Sequence, residues 1–401
     1  MSYHSIIEYI QGLTQIYFSA AKKKKTQLLD DASKITGRHR KSLIRLLGSK
    51  RLIENNKKSN CGAKKKYTDD LLPHIKCLWI AMDRIDPKRM KPALENEDWL
   101  PKYHENGITQ NQKRLIREMS VSTLSRFISK IRSSSEIKKG LNSTSPARHM
   151  KNKVPINTLD SKVENPGFVQ ADTVAHCGDR LEGTFMNSIT LTDIYSTWTD
   201  NRAIFTKKGR EVRSALVDIK INLPFDLKAI NTDSGSEFLN TPVFNLFNDK
   251  KVKFTRSRPY KKNDNCYVEQ KNFTHARELF GYQRFEHIEL KELMNEIYTK
   301  YWNPYLNFFI PTFKLKEKIR IGARIKKIYD TPKTPYQRLM ESSSLSEKQK
   351  KELSMRKKEL NPFELKKVLE KKLAEFFKKL EYLDRCRELD RVTEKNFRDA
   401  A

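Results

Sequence analysis

The chain has 401 residues, with 80 Lys and Arg against 49 Asp and Glu, a formal net charge of +31. Its 37% hydrophobic content is enough for real cores and excludes a fully disordered chain. No apolar run reaches the roughly 18 residues of a membrane span, and five scattered cysteines exclude a disulfide scaffold and point to a reducing compartment. The N-terminal stretch carries Tyr3, His4 and Glu8 among its apolar residues and does not read as a signal peptide. The expectation is a soluble, intracellular protein whose charge calls for a polyanion, with nucleic acid the default partner and no membrane.

Residues 1–60 read as short helices. Thr26–Lys34 and Arg38–Leu47 flank a turn at Thr36-Gly37, and Leu28, Ala32, Ile35, Leu43, Ile44 and Leu47 form one small core. The second helix then turns Arg38, His39, Lys41, Ser42 and Arg45 outward, the layout of a helix-turn-helix DNA reader, with Arg38, Lys41 and Arg45 as the contacts. An ordinary helical hairpin with a solvated basic face has the same pattern. A polar linker over 55–66 follows.

Residues 61–134 form a second unit of the same kind. Thr68 caps a helix with Leu71, Leu72, Ile75, Leu78, Trp79 and Met82 inside, and Pro87, Pro92 and Pro101 mark an irregular stretch. Gln112–Glu118, a turn at Met119-Ser120 and Val121–Arg132 make a second helix-turn-helix, with Arg126 and Lys130 facing DNA. Residues 135–159 are a basic linker.

Over residues 160–310 the pattern becomes mixed. Strands are expected at 168–174, 188–194, 197–205, 227–231 and 252–256, with helices from Val212, from Thr241 and over Cys266–Phe280. The order β-β-β-α-β-α-β-α gives an α/β multidomain protein whose core is a mixed five-stranded sheet with helices on both faces, the ribonuclease H-like topology. Residues 311–401 supply a basic β-ribbon, with Ile319, Ile321, Ile325 and Ile328 alternating with cations, and a C-terminal amphipathic helix.

Three carboxylates stand at informative places. Asp172 lies mid-strand, Asp233 follows the fourth strand, and Glu269 starts the last core helix. An acid within an apolar strand is costly unless paired or bound to metal. Converging carboxylates select two hard divalent cations, Mg2+ or Mn2+, the arrangement used for displacement at phosphorus. Asp172 would bridge both ions, Asp233 would hold one and Glu269 the other. Glu237 is the competing acid and is given a structural or secondary role, and Asp193 and Asp264 are read as turn or supporting residues. In the loop 256–263, Arg256, Arg258, Lys261 and Lys262 suit phosphates, while Asn263 or the following Asn265 suits a base or sugar. His176-Cys177 has no second ligand pair at zinc spacing and is read as structural.

Thirty-five residues separate Asp233 from Glu269, the D-x35-E spacing of retroviral-type integrases and related insertion-sequence transposases. The stretches Asp172-Thr-Val-Ala-His-Cys-Gly, 255–265 (TRSRPYKKNDN), Val268-Glu-Gln-Lys-Asn, Leu306-Asn-Phe-Phe and Thr334-Pro-Tyr-Gln-Arg-Leu resemble bacterial integrase-core transposases over most of residues 20–340. The chain departs from many retroviral integrases in lacking the N-terminal His/Cys zinc pattern. The resemblance implies a DDE transposase of the bacterial cytoplasm, associated with the nucleoid. It would bind the terminal inverted repeats of an insertion sequence and carry out Mg2+-dependent strand cleavage and strand transfer on double-stranded DNA, as a homo-oligomer. The alternatives are a catalytically decayed DNA-binding regulator and a ribonuclease H-like nuclease that cuts without joining.

Overall fold

Met1–Lys66 and Tyr67–Ala401 form two separate compact units. The computed structural model describes residues 3–48, 66–132, 163–248, 252–258, 265–321 and 324–399. The linker at 135–159 and nearly all of that at 55–66 lie outside the described residues.

In the first unit, helices α1 (Tyr3–Ser19), α2 (Lys22–Thr36) and α3 (Arg40–Leu47) pack together. Gly37 ends α2 in the left-handed conformation at φ 65°, which a residue without Cβ adopts cheaply. The buried side chains are Ile6 and Ile10 from α1 with Leu29, Ala32, Leu43 and Leu47. Ile35 and Ile44, expected inside, are 51% and 45% exposed. Two helices alone leave open which face of each turns inward, and packing against α1 decides it.

The second unit opens with helical turns. The Thr68 hydroxyl bonds to the Asp70 carboxylate rather than capping a helix, and a 3-10 turn over Asp69–Leu71 leads into the helix Leu72–Ala81. The stretch expected to be irregular contains a helix, Pro87–Glu95. Asp86 caps it by accepting from the Lys88 amide, and Pro87 sits in the first turn, where no amide is needed. Helices Gln110–Glu118 and Val121–Arg132 follow, the first closed by a reciprocal Thr109/Gln112 cap.

These helices share one hydrophobic core with the sheet and the C-terminal helix. The Trp99 indole N–H donates to Phe309 O at 3.3 Å, and Tyr305 donates to Ala81 O at 2.5 Å. Phe363 packs against Trp99 and Tyr103 with ring centroids 5.2 and 5.8 Å apart. Phe363 opens the long helix Pro362–Asp399, whose Leu365, Leu369, Phe376 and Leu380 are buried against their own chain.

The sheet has the order β3-β2-β1-β4-β5, from β1 (Phe168–Ala175), β2 (Asn187–Asp193), β3 (Thr199–Ile204), β4 (Ala229–Thr232) and β5 (Lys253–Arg256). The first three strands are antiparallel, whereas β4 and β5 run parallel to β1. This is the mixed order expected of a ribonuclease H-like sheet. Because side chains alternate along a strand, the two faces are told apart by their partners. Arg202 pairs with Asp218 of the helix Gly209–Asn222 on one face, and Gln170 bonds to the helix beginning at Cys266 on the other. A two-stranded ribbon, β6 (Leu315–Ile321) and β7 (Arg324–Tyr329), stands apart from this sheet.

Asp193 closes the β2–β3 turn from inside, accepting from the Gly167 amide and from the amide and hydroxyl of Ser196.

The shared core sets an expectation for truncation. A fragment of residues 67–401 should melt cooperatively, like the second unit in the whole chain. A fragment starting at 155 exposes the surfaces that Trp99 and Tyr103 cover and should lack a cooperative transition. Calorimetry of the two fragments checks this, and a sharp transition in the shorter one contradicts the shared core.

Candidate metal and phosphoryl-transfer site

The parallel pairing of β1 with β4 brings Ala171 opposite Thr232. The residues that follow, Asp172 and Asp233, therefore lie side by side on neighbouring strands. Asp172 accepts from the Thr173 amide at 2.8 Å and from Asn272 Nδ2 at 2.7 Å. Asp233 accepts from the Gly235 amide at 3.0 Å, the turn geometry Asp adopts before a glycine.

Gly235 separates two carboxylates. A Cβ there would meet Glu237 Oε2 at 2.5 Å and Asp233 Oδ1 at 2.9 Å, so a larger residue would push one carboxylate or the other aside. Glu237 is 4% exposed and accepts from the Thr173 hydroxyl at 2.9 Å and from Lys207 Nζ at 3.0 Å. Burial, then the neighbouring Asp233 and Glu237 charges, push Asp172 up to about 7. Burial and the Glu237 charge push Asp233 up to about 6, with Lys207 opposing. Packing like charges out of water disfavours the ionised form of each.

The helix Cys266–Lys271 is seated by the sheet. Gln170, two residues before Asp172 on the same face, accepts from the Tyr267 and Val268 amides at 3.0 and 3.3 Å. Asn231 donates to Ser257 Oγ and Asn265 Oδ1 at 2.9 and 3.1 Å, tying the helix start to β4 and β5. Glu269 is exposed on this helix, and Asn272 opens the π-helical turn Asn272–Arg277 that continues it. The structure thus brings together Asp172, Asp233, Glu237 and Asn272. It leaves Glu269 on the exposed side of its helix. Glu237 and Asn272 carried a weaker sequence signal than the spaced acids, although Asn272 lies three residues after Glu269, the spacing of one helix face.

Among the described residues, no three His, Cys, Asp or Glu side chains gather closely enough to hold one ion. The donors present nonetheless suit a divalent cation. Asp172 and Asp233 are hard oxygen ligands held together against their repulsion, and Asn272 Oδ1 is buried without a partner.

Arg256 pairs with Thr232, beside Asp233, and Arg258 follows it, both half-buried. Lys261, Lys262 and Asn263 lie outside the described residues, as does Asp264. Lys41 and Arg45 are exposed on α3, and Arg38 is half-buried just before it. Arg126 is exposed, whereas Lys130 is engaged by Asp69 at 2.8 Å. His176 is fully buried, shares a hydrogen bond with Ser188 Oγ at 2.8 Å and stacks on Phe285. Cys177 Sγ donates to Gly178 O.

No protein-family model matches the chain. The chain is 32% identical over 339 residues to "Uncharacterized protein y4rM" of Sinorhizobium fredii, a match covering 82% of this chain and 94% of that protein. Among solved structures, the catalytic core domain of BIV integrase aligns at 13% identity and a TM-score of 0.24, over 28% of this chain and 68% of that one. The strand order and polarity define the fold.

The raised carboxyls fix a pH dependence. Between the ordinary 3.8 and about 7, the folded chain keeps a proton on Asp172 that the unfolded chain releases. This group's contribution to stability is therefore full below the ordinary value and is lost as pH rises through about 7. In a chelator, Asp172→Asn should gain stability relative to wild type as pH goes from 5 to 8, by up to about 3 kcal/mol. A wild-type-minus-variant difference in melting temperature that stays flat over that range contradicts the burial of a charge here.

Proposed function

We propose that this chain, which belongs to the same family as the uncharacterized y4rM protein of Sinorhizobium fredii, is a DDE transposase. It binds the ends of an insertion sequence and cuts and joins DNA by phosphoryl transfer. The observation that carries this reading is the pair Asp172 and Asp233, two half-buried acids side by side on parallel strands whose carboxyls are pushed well above the ordinary range. A structural role would be served better by neutral side chains, so the arrangement makes sense as a cation site.

Asp172, Asp233 and Glu269 are the proposed ligands. Two Mg2+ or Mn2+ ions held there supply charge neutralisation at the scissile phosphate and an activated oxygen nucleophile. The chain's own residues do the rest. Gln170 and the Asn231–Ser257–Asn265 network hold the helix that carries Glu269, and Asn272 and Thr173 fix the Asp172 carboxyl. Lys207 and Thr173 hold Glu237, which faces Asp233 across Gly235. Arg256 and Arg258 lie at the mouth of the same strands, where DNA phosphates would enter.

Recognition of the ends is assigned to the outer faces of α3 and of the helix Val121–Arg132, through Arg38, Lys41, Arg45, Arg126 and Lys130. Lys130 must give up Asp69 to meet a phosphate. Joining two ends calls for at least two copies on DNA. A second reading of the third ligand rests on the burial of Glu237 beside Asp233, in contrast with the exposed Glu269. In that reading Glu237 takes the place of Glu269.

Asp172→Asn and Asp233→Asn should each abolish nicking of end-containing DNA in Mg2+ while DNA binding stays nearly intact. Glu269→Gln should do the same, with Glu237→Gln retaining measurable cleavage. The opposite outcome for the two glutamates moves the third ligand to Glu237. Near-wild-type nicking by either aspartate variant removes that residue from the site.

DNA affinity should fall steeply with salt, with a log–log slope of roughly −5 or steeper, since each neutralised phosphate contributes about −0.9. A slope near zero in a binding titration means that the charge serves some other partner.

A further inference from the structure

The β6–β7 ribbon leaves the body of the protein as a bare hairpin. Its base is fixed. The Lys314 amide donates to Asp330 Oδ1 at 2.7 Å, the Asp330 amide donates to Lys314 O at 2.9 Å, and Lys314 Nζ donates to Tyr195 O at 2.8 Å. Arg338 in turn holds Asp330 at 2.5 Å. Above this base, Lys316 through Ile321 and Ile325 through Lys327 are exposed. An isolated two-stranded ribbon is marginal in water, and this one leaves Ile321 and Ile325 each 61% exposed. A surface of this kind is completed by a partner.

The composition says which partner. The two strands carry six Lys and Arg against one Glu. The register says which face. Residues directly opposite share a face, so Lys318 opposite Lys327 and Arg320 opposite Ile325 make one side. Ile319 opposite Lys326 and Glu317 opposite Ile328 make the other. Like charges directly opposite destabilise a hairpin, and the ribbon's one glutamate, Glu317, is on the side away from the Lys318/Lys327 pair. A polyanion relieves that repulsion. A two-stranded ribbon also fits the major groove of B-form DNA, about 12 Å wide, where an apolar side chain meets a thymine methyl.

The geometry points to the Lys318/Arg320/Ile325/Lys327 face as a surface that lies in the major groove of duplex DNA, with its cations on the phosphates and Ile325 toward the base edges. This rests on the DNA-binding reading above and adds its place and mode. The ribbon base touches Tyr195 in the β2–β3 turn, beside Asp193, which is in register with Val169. Val169 precedes Asp172 by a rise of three residues along the strand, about 10 Å, so the ribbon springs from the end of the sheet away from the carboxylates.

Two adjacent lysines on opposite faces give the test. In full-length protein titrated with labelled duplex DNA over a salt series, Lys327→Ala should lower the log–log slope by about 0.9, and the affinity at 0.1 M salt by about eightfold. Lys318→Ala should do the same. Lys326→Ala, an identical change of charge one residue away on the other face, should leave both values near wild type. Unchanged circular dichroism and melting temperature in all three keep the comparison one of binding. Equal effects of Lys326→Ala and Lys327→Ala, or none from either, overturn the face assignment while a steep wild-type slope keeps the DNA reading. A wild-type slope near zero overturns the DNA reading itself. A change of sedimentation in Lys318→Ala or Lys327→Ala with an unchanged slope makes the ribbon a contact between copies and also overturns the proposal.

Discussion

Two acids must share a small volume between adjacent parallel strands, and much of the second unit is arranged around that constraint. The register of β1 against β4 brings Asp172 and Asp233 together, and both are half-buried with the Glu237 carboxylate beside them, so each holds its proton above the ordinary carboxylate range. The surroundings limit the cost without cancelling it. Thr173 and Gly235 give backbone amides, Asn272 gives a side-chain amide, and Lys207 faces Glu237. Gly235 leaves room for the present placing of Asp233 and Glu237, since a methyl group there would displace one carboxylate or the other.

The polar face of the sheet serves the same end. Gln170, Asn231, Thr255 and Ser257 are buried under the helix that begins at Cys266 and are tied to it or to one another. Apolar side chains there would pack as well, but they would not define where along its axis the helix sits. Hydrogen bonds with fixed partners do, and axial position decides where Glu269 and Asn272 fall relative to Asp172. Burial that is costly in solvation is here converted into positional accuracy.

Charge is distributed unevenly over the molecule. Some cations are engaged internally, as Arg202 is between Asp200 and Asp218, and Arg338 against Asp330. Others stand on exposed elements of mostly basic sequence, above all the ribbon. A net charge of +31 therefore understates the local field at the surfaces able to meet a polyanion.

The sequence determined the parts that depend on local pattern. Extended segments with short connections located five strands, their order implied the mixed sheet, and the ribbon and the C-terminal helix followed from their own periodicities. Asp172 and Asp233 were legible because an acid in or just after an apolar strand costs solvation that only a bound or paired cation returns. Only the tertiary structure decided what depends on contacts distant in the chain. It turned Ile35 and Ile44 outward through α1, and it joined the helices of 67–132 to the sheet through Trp99, Tyr103 and Phe363. It also buried Glu237 while leaving Glu269 exposed. Spacing along a chain fixes which residues share a face of one element, whereas burial depends on what the rest of the chain lays over that face.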